Sequence, residues 1–135
     1  KRLIKRNRKL YLKNNIMREI KFRALKDDMS NCRLYYGDLV YDKEHNPRIY
    51  DIDTTLFHTC ISGTESQFTG LQDKDNVDIY EGDMFSCNSV NYVLKFLTIG
   101  GAYTVHHLDN DEDKRFLHHC NRYLKVVGNI YENKI

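Results

Sequence analysis

Five residues with side chains that zinc prefers lie in the last third of the chain: His106, His107, His118, His119 and Cys120. Zinc takes imidazole and thiolate ligands in a tetrahedral set. Neighbouring residues of a strand point to opposite faces, so only one histidine of the first pair can join ligands from a later helix. We therefore expect no zinc site. Whether His118, His119 and Cys120 bind a metal stays open at this point.

Asp73 and Asp75 have the Asp-x-Asp spacing of a calcium-binding loop. The pattern fails at the positions that decide it. Val77 stands where a ligand oxygen is required, Asp78 where glycine is required, and Met84 where an acid should close the loop. We expect no calcium, no other metal and no cofactor.

Three further acids, Asp42, Asp51 and Asp53, also raise the question of a metal site. Their spacing does not bring the carboxylates together. Charged residues on the edge of a sheet protect it against the addition of a foreign strand. We interpret these acids as part of a solvated strand edge.

Signals for catalysis are weak. The chain has no glycine-rich dinucleotide motif and no phosphate-binding loop, and the segment 63–66 is not a nucleophile elbow. Cys60 with His58, or Cys120 with His119, are the closest cysteine–histidine pairs, but neighbours in sequence are rarely catalytic partners in space. We expect no catalytic residues and no enzymatic activity.

The composition is that of one folded domain. The chain has 135 residues, 41% of them apolar, and its ten tyrosines and six phenylalanines supply bulky core material. Its four cysteines are spread along the chain without a Cys-x-x-Cys pair, which favours a reduced, cytosolic protein with buried thiols. No apolar run is long enough to cross a bilayer.

Charge is distributed unevenly. Residues 1–16 hold seven of the 21 lysines and arginines and no acid, so the remaining residues carry 14 bases against 19 acids. Any electrostatic attraction to nucleic acid therefore depends on this basic extension. The extension is either a phosphate-binding arm or a tail, helical or frayed, that precedes a natural start at Met17. Its apolar residues have a loose helical spacing.

Alternation of polar and apolar residues predicts strands. Ile20, Phe22 and Ala24 share one face of the first strand, and aromatic or branched residues fill two further extended runs, Leu34–Tyr41 and Ile49–Phe57. The turn-forming residues at 73–76 separate two more apolar segments.

Residues Val93–Leu108 have the pattern of a hairpin. Gly100 and Gly101 fit a primed two-residue turn. That turn predicts three pairs, Phe96 with Val105, Thr98 with Tyr103 and Leu94 with His107. One face of the hairpin, with Leu94, Phe96, Tyr103 and Val105, is then expected in the core.

Asn110 and the three acids after it predict a helix start, and the histidines near its end favour a helix over Asp111–Arg122. The fold class that we predict is mainly β: a small barrel-like or strongly bent antiparallel sheet with one short helix near 111–122. The run Tyr123–Tyr131 returns to an extended pattern.

Three segments, in this order, resemble the YopX family of phage and prophage proteins. They are Met17–Ala24, the stretch Gln67–Asp75 running into Ile79–Asp83, and Val127–Asn133. The chain departs from the common family pattern where Asn76-Val-Asp78 replaces an Asn-Gly-Lys turn, which predicts a looser turn. The resemblance covers residues 17–133, and we divide the chain into a basic extension, 1–16, which need not be native, and a YopX-like β domain, 17–135.

The resemblance implies a mainly β, oligomeric protein of temperate phages, located in the cytoplasm of the infected or lysogenic bacterial host. It provides no catalytic residue. We interpret the matching residues as structural: Gln67, Phe68, Thr69, Gly70, Leu71, Asp73, Tyr80, Glu81, Gly82, Asp83, Gly128, Asn129 and Tyr131.

We therefore expect a non-enzymatic accessory protein that binds a bacterial-host or phage protein, or itself, and that does not enter the membrane. The alternative is a nucleic-acid-binding regulator that uses exposed aromatic residues such as Tyr35, Tyr36 or Tyr41 together with the basic extension. The phosphate contacts would then come from Lys1, Arg2, Lys5, Arg6, Arg8, Lys9 and Lys13.

Overall fold

The computed structural model describes residues 19–29, 31–110 and 112–132, of which 57% lie in strands. The prediction of a mainly β fold is confirmed. The chain divides into two compact units, of which the first ends at Glu65 and the second begins at Ser66. The predicted basic extension and Met17 lie outside the described residues.

Four antiparallel strands build the first unit, and each pairs with the next in the chain. Strand alternation turns Ala24 and Ile49 inward, and Cys60, which directly follows β4, joins them in a core against which Phe22 and Leu39 pack. The strands are β1 (Phe22–Asp28), β2 (Asn31–Tyr41), β3 (Pro47–Asp51) and β4 (Leu56–Thr59).

Two expectations for this unit were wrong in detail. The run Ile49–Phe57 is two strands rather than one, because a turn separates β3 from β4. Thr55 closes that turn with a φ of 60° and a hydrogen bond from its N–H to the carbonyl of Asp51 at 2.7 Å. Ile20 precedes β1 and is 52% exposed, so the predicted inward face begins at Phe22.

The second unit begins with a hairpin and continues as a five-stranded antiparallel sheet of order β10-β9-β8-β7-β11. The hairpin strands are β5 (Ser66–Gln72) and β6 (Asp78–Tyr80). The sheet contains β7 (Asp83–Cys87), β8 (Val90–Leu97), β9 (Ala102–His107), β10 (Lys114–Phe116) and β11 (Lys125–Asn129). Since β10 and β11 end the sheet as unpaired edges, it forms no closed barrel within the part of the chain that the structure describes.

The predicted hairpin between β8 and β9 forms, but its register differs by two residues. Phe96 pairs with Tyr103 and Leu94 with Val105, so the loop has four residues, Thr98–Gly101, instead of two. A shift of two residues keeps every side chain on its face. Leu94 and Val105 are accordingly buried, whereas Phe96 remains 44% exposed.

The predicted helix over Asp111–Arg122 is much shorter than expected. Helix α1 covers Leu117–Cys120 and is followed by a 3₁₀ turn, Asn121–Tyr123. Lys114–Phe116 are a strand because they pair with β9, and this pairing outweighs the local helical signals. The side chain of Asn110 accepts a hydrogen bond from the N–H of Glu112 within the connecting loop instead of capping a helix.

The core of the second unit lies between its strands and α1. Six buried apolar residues form it: Ile79, Phe85, Leu94, Val105, Leu117 and Leu124. Of the four cysteines, which were expected to be buried, only Cys60 is, in the core of the first unit. Cys87 and Cys120 are half-buried and pack against the cluster of the second unit, whereas Cys32 is exposed on β2.

Candidate functional site

Asp73, the first acid of the apparent calcium motif, is an acceptor for backbone N–H groups. Its Oδ1 accepts hydrogen bonds from Asp75 at 2.8 Å and Val77 at 2.9 Å, and its Oδ2 accepts one from Val126 at 2.9 Å. The residue is 1% exposed. Both carboxylate oxygens thus accept backbone hydrogen bonds, Oδ1 within the turn and Oδ2 from β11.

The turn after β5 is also held by the segment that follows α1. The side-chain amide of Asn121 donates to the carbonyl of Gln72 at 2.6 Å. The guanidinium of Arg122 donates to the carbonyl of Asp73 at 3.2 Å and to Oδ1 of Asn76 at 2.9 Å. These bonds join segments that are 46–49 residues apart in sequence.

A second junction joins the family-like stretch Ile79–Asp83 to the last family-like segment, which begins at Val127. The N–H of Ile130 donates to the carbonyl of Gly82 at 3.0 Å. Gly82 has a φ of +82°, and a Cβ there would lie 2.9 Å from Cε2 of Tyr131. Beside it, Oδ2 of Asp83 accepts the N–H of Tyr80 at 2.8 Å.

Other residues of the family-like segments have similar local roles. Thr69 donates its hydroxyl to the carbonyl of Ile79 at 2.8 Å, and Glu81 accepts the N–H of Gln67 at 2.7 Å. Oδ1 of Asn129 accepts hydrogen bonds from the backbone N–H groups of Tyr131 and Glu132. The remaining matched residues, Phe68, Gly70, Leu71 and Gly128, lie on β5 and β11 of the same unit.

The histidines considered for zinc are dispersed. His106 is buried and its Nε2 lies 2.6 Å from Oγ1 of Thr104, whereas Nδ1 of His107 accepts the N–H of Asp109. The rings of His118 and His119 lie 4.1 Å apart next to Phe116. Within the described ranges, no group of three or more histidine, cysteine or acidic side chains is placed to hold a metal ion.

Asp42 and Asp51 stabilise turns of the first unit. The backbone N–H of Asn46, followed by other donors of the same turn, lowers the pKa of Asp42. The backbone N–H of Asp53 does the same for the pKa of Asp51. Two of the three acids interpreted as a solvated edge, Asp42 and Asp51, therefore cap two tight turns.

One face of the first unit carries an exposed group of aromatic side chains. Tyr50 of β3 lies directly opposite Phe57 of β4, with their ring centroids 4.7 Å apart. Tyr36 is 50% exposed and Phe57 48% exposed. Strand alternation and register place the following side chains on this surface, which we call the aromatic face: Tyr36, Asp38, Val40, Arg48, Tyr50 and Phe57.

Arg48 gives the aromatic face a positive charge. Its guanidinium carbon lies 4.5 Å from the ring centroid of Phe57, in a cation–π arrangement. Its Nε is buried and has no hydrogen-bond partner among the residues that the structure describes. Asp38 stands opposite Tyr50 on the same face, which therefore contains both charge signs.

The aromatic face ends at an open sheet edge. β4 is the terminal strand of its sheet, and Leu56 on it is 56% exposed. The strand contains no lysine, proline or acid, the residues with which proteins commonly protect an edge.

The three tyrosines proposed for nucleic-acid contact do not form one surface. Tyr35 faces the core of the first unit, stacks on His58 at 4.0 Å and donates its hydroxyl to Asp28. That hydrogen bond is the main cause that raises the pKa of Tyr35. Tyr41 lies on the same side as Tyr35 and donates to Glu65, whereas Tyr36 points to the aromatic face.

The predicted phosphate-binding residues, Lys1, Arg2, Lys5, Arg6, Arg8, Lys9 and Lys13, lie outside the described residues. The sequence did not reveal the aromatic face as a unit. Alternation along β2 places Tyr36 and Val40 on one face, and alternation along β3 does the same for Arg48 and Tyr50. This part of the aromatic face could therefore have been predicted from the sequence. Phe57 joins them only through the unrecognised turn between β3 and β4.

The fold is that of a mainly β protein with two antiparallel units. One unit has the exposed aromatic face, and in the other the β5–β6 turn is hydrogen-bonded to the segment that follows α1 and to β11. Comparison with protein families matches residues 21–134 to the family described as YopX protein. The chain belongs to the YopX family, as its three segments indicate. A search of curated proteins found no match. In the three described ranges, no helix is long and apolar enough to span a membrane.

Proposed function

We propose that this protein is a non-enzymatic phage accessory factor that acts in the bacterial cytoplasm by binding protein through the aromatic face. The observation that supports the proposal is the exposure of Tyr36 and Phe57 beside Arg48 on one sheet surface. Tyrosine, phenylalanine and arginine are enriched in protein interfaces, and tyrosine and arginine dominate their binding energy.

The partner that best fits this face is a second copy of the chain. A two-fold interface uses the same surface on both copies, so the surface must complement itself. Asp38 and Arg48 lie on the same face, and antiparallel docking brings each near its counterpart on the other copy. The β4 edge contains no lysine, arginine or acid that would repel the same strand of a second copy.

The test is the oligomeric state of the full chain, measured by sedimentation velocity over a range of micromolar concentrations. We expect association that is lost in the double variant Tyr36→Ser, Phe57→Ser. The matched control is Tyr123→Ser, which removes an exposed tyrosine (72%) from the second unit. Circular dichroism verifies that each variant is folded.

Charge reversal tests the docking itself. Arg48→Glu alone is expected to abolish association, and adding Asp38→Arg is expected to restore it. A monomeric wild-type chain would exclude the second copy as partner. If, in addition, the double aromatic variant captured the same host and phage proteins as the wild type, protein binding through this face would be refuted.

A further inference from the structure

A cavity of about 440 Å³ opens in the second unit. It lies between the β7–β8 turn, β9, β10 and the segment after α1. Val105 and Leu124 form its buried floor, and Val90 and Tyr92 contribute apolar walls. Its volume falls within the range of roughly 300–1,000 Å³ that is typical of small-molecule sites.

The positive charge of the lining is supplied by β10. Arg115 lines the cavity, and its side chain has no hydrogen bond or ion pair with any residue in the described ranges. The guanidinium is close enough to oppose the effect of burial, which raises the pKa of the Cys120 thiol. A cation next to an apolar enclosure is suited to a ligand that has an apolar body and a negative group.

We propose that this cavity binds a small aromatic monoanion, with the ring system against Val105 and Leu124 and the anionic group at Arg115. Asp113 also lines the cavity, two residues from Arg115. Its carboxylate repels a second negative charge, so a monoanion is preferred over a dianion. The site is independent of the aromatic face, since it uses none of its residues.

The probe is anilinonaphthalene sulfonate, an aromatic monoanion whose fluorescence rises in apolar surroundings. Titration of the full chain is expected to show saturable binding of one molecule per chain. Val90→Phe, which fills the cavity from a half-buried position, is expected to abolish it. Arg115→Gln should weaken binding about fivefold, the upper range for a solvent-exposed ion pair.

Matched controls separate the cavity from other apolar surface. Val127→Phe and Arg33→Gln make the same chemical changes at exposed positions that do not line the cavity, and both should leave the titration unchanged. Phe57→Ser should also have no effect. Equal binding by Val90→Phe and the wild type, or loss of binding in Phe57→Ser, would overturn the assignment.

The cysteines provide a second readout. Cys87 and Cys120 line the cavity, whereas Cys32 is exposed in the first unit. Saturating probe should slow alkylation of Cys87 and Cys120 by iodoacetamide, measured by peptide mass spectrometry, and leave Cys32 unaffected. Unchanged rates at both cavity cysteines would contradict binding at this site. Inorganic phosphate, mostly dianionic at pH 8, should not reproduce the protection; equal protection by phosphate would refute the preference for an aromatic monoanion.

Discussion

The carboxylate of Asp73 accepts a hydrogen bond from the backbone N–H of Val126 at 2.9 Å, across 53 residues of sequence. The same side chain closes its own turn through two further N–H groups. One buried acid therefore fixes the β5–β6 turn and attaches it to β11. This relationship explains why an acid stands at this position.

Replacing Asp73 by alanine should destabilise the protein by about 3 kcal/mol or more, because three backbone donors lose their acceptor and buried unsatisfied groups cost about 1–3 kcal/mol each. Urea unfolding followed by circular dichroism measures the change. Asp75→Ala, an exposed acid of the same turn, is the control and should alter the free energy of unfolding by less than about 0.5 kcal/mol. Equal losses in both variants would refute the role of Asp73.

Alanine substitutions at two glycines separate the energetic cost of backbone strain from that of steric crowding. Gly100 and Gly82 both have positive φ, but a Cβ at Gly100 meets no atom within 4 Å, whereas at Gly82 it meets Tyr131 and Ile130. Gly100→Ala should cost about 1 kcal/mol from backbone strain alone. Gly82→Ala should cost about 3 kcal/mol, because overpacking adds to the strain. A Gly82→Ala variant as stable as Gly100→Ala would show that Tyr131 moves away freely.

The sequence predicted what depends on local patterning. Alternation identified the strand faces, and Leu94 and Val105 of the predicted inward face are buried even though the register was wrong, since a shift of two residues preserves faces. The prediction was wrong for Phe96 of the same face, which is 44% exposed. The loop length was wrong because Thr98 and Ile99 are compatible with either a strand or a loop.

Features that depend on distant partners could not be read from the sequence. Lys114–Phe116 follow a good helix start, yet they pair with β9. The aromatic face needs the turn at Thr55 to bring Phe57 opposite Tyr50, and no local pattern specifies that turn. The bond between Asp73 and Val126 likewise has no sequence signal, because any residue except proline can supply a backbone N–H.

Thiol reactivity should differ between the cysteines of the first unit. Burial raises the pKa of the Cys60 thiol, whereas Cys32 is exposed. Because thiolate is the reactive form, Cys32 should be alkylated at least about tenfold faster than Cys60 at pH 8. Peptide mass spectrometry after timed iodoacetamide treatment measures both rates. In urea the difference should disappear; a difference that persists there would not arise from burial.

Acid should weaken the turns of the first unit. The folded-state pKa values of Asp42 and Asp51 are lowered by backbone donors, so their charged forms are favoured in the fold. Their stabilising contribution is present above the ordinary aspartate pKa of about 3.9 and is lost as pH falls through the lowered values. Asp42→Ala should therefore reduce stability at pH 7 more than at pH 2.5, as measured by urea unfolding. The same loss at both pH values would argue against this linkage.

Nucleic-acid binding, if the full chain shows any, should depend on residues 1–16, because the remainder carries more acids than bases. Neutralising phosphates releases counterions, so affinity for duplex DNA should fall steeply with salt, with a log–log slope that grows by about 0.9 per phosphate contacted. Fluorescence anisotropy from 50 to 200 mM salt measures the slope. A chain of residues 17–135 should bind no duplex, and a variant with the seven bases of the extension changed to glutamine should match it. Affinity retained by the shortened chain would place the contacts in the two folded units and exclude the extension as a phosphate-binding arm.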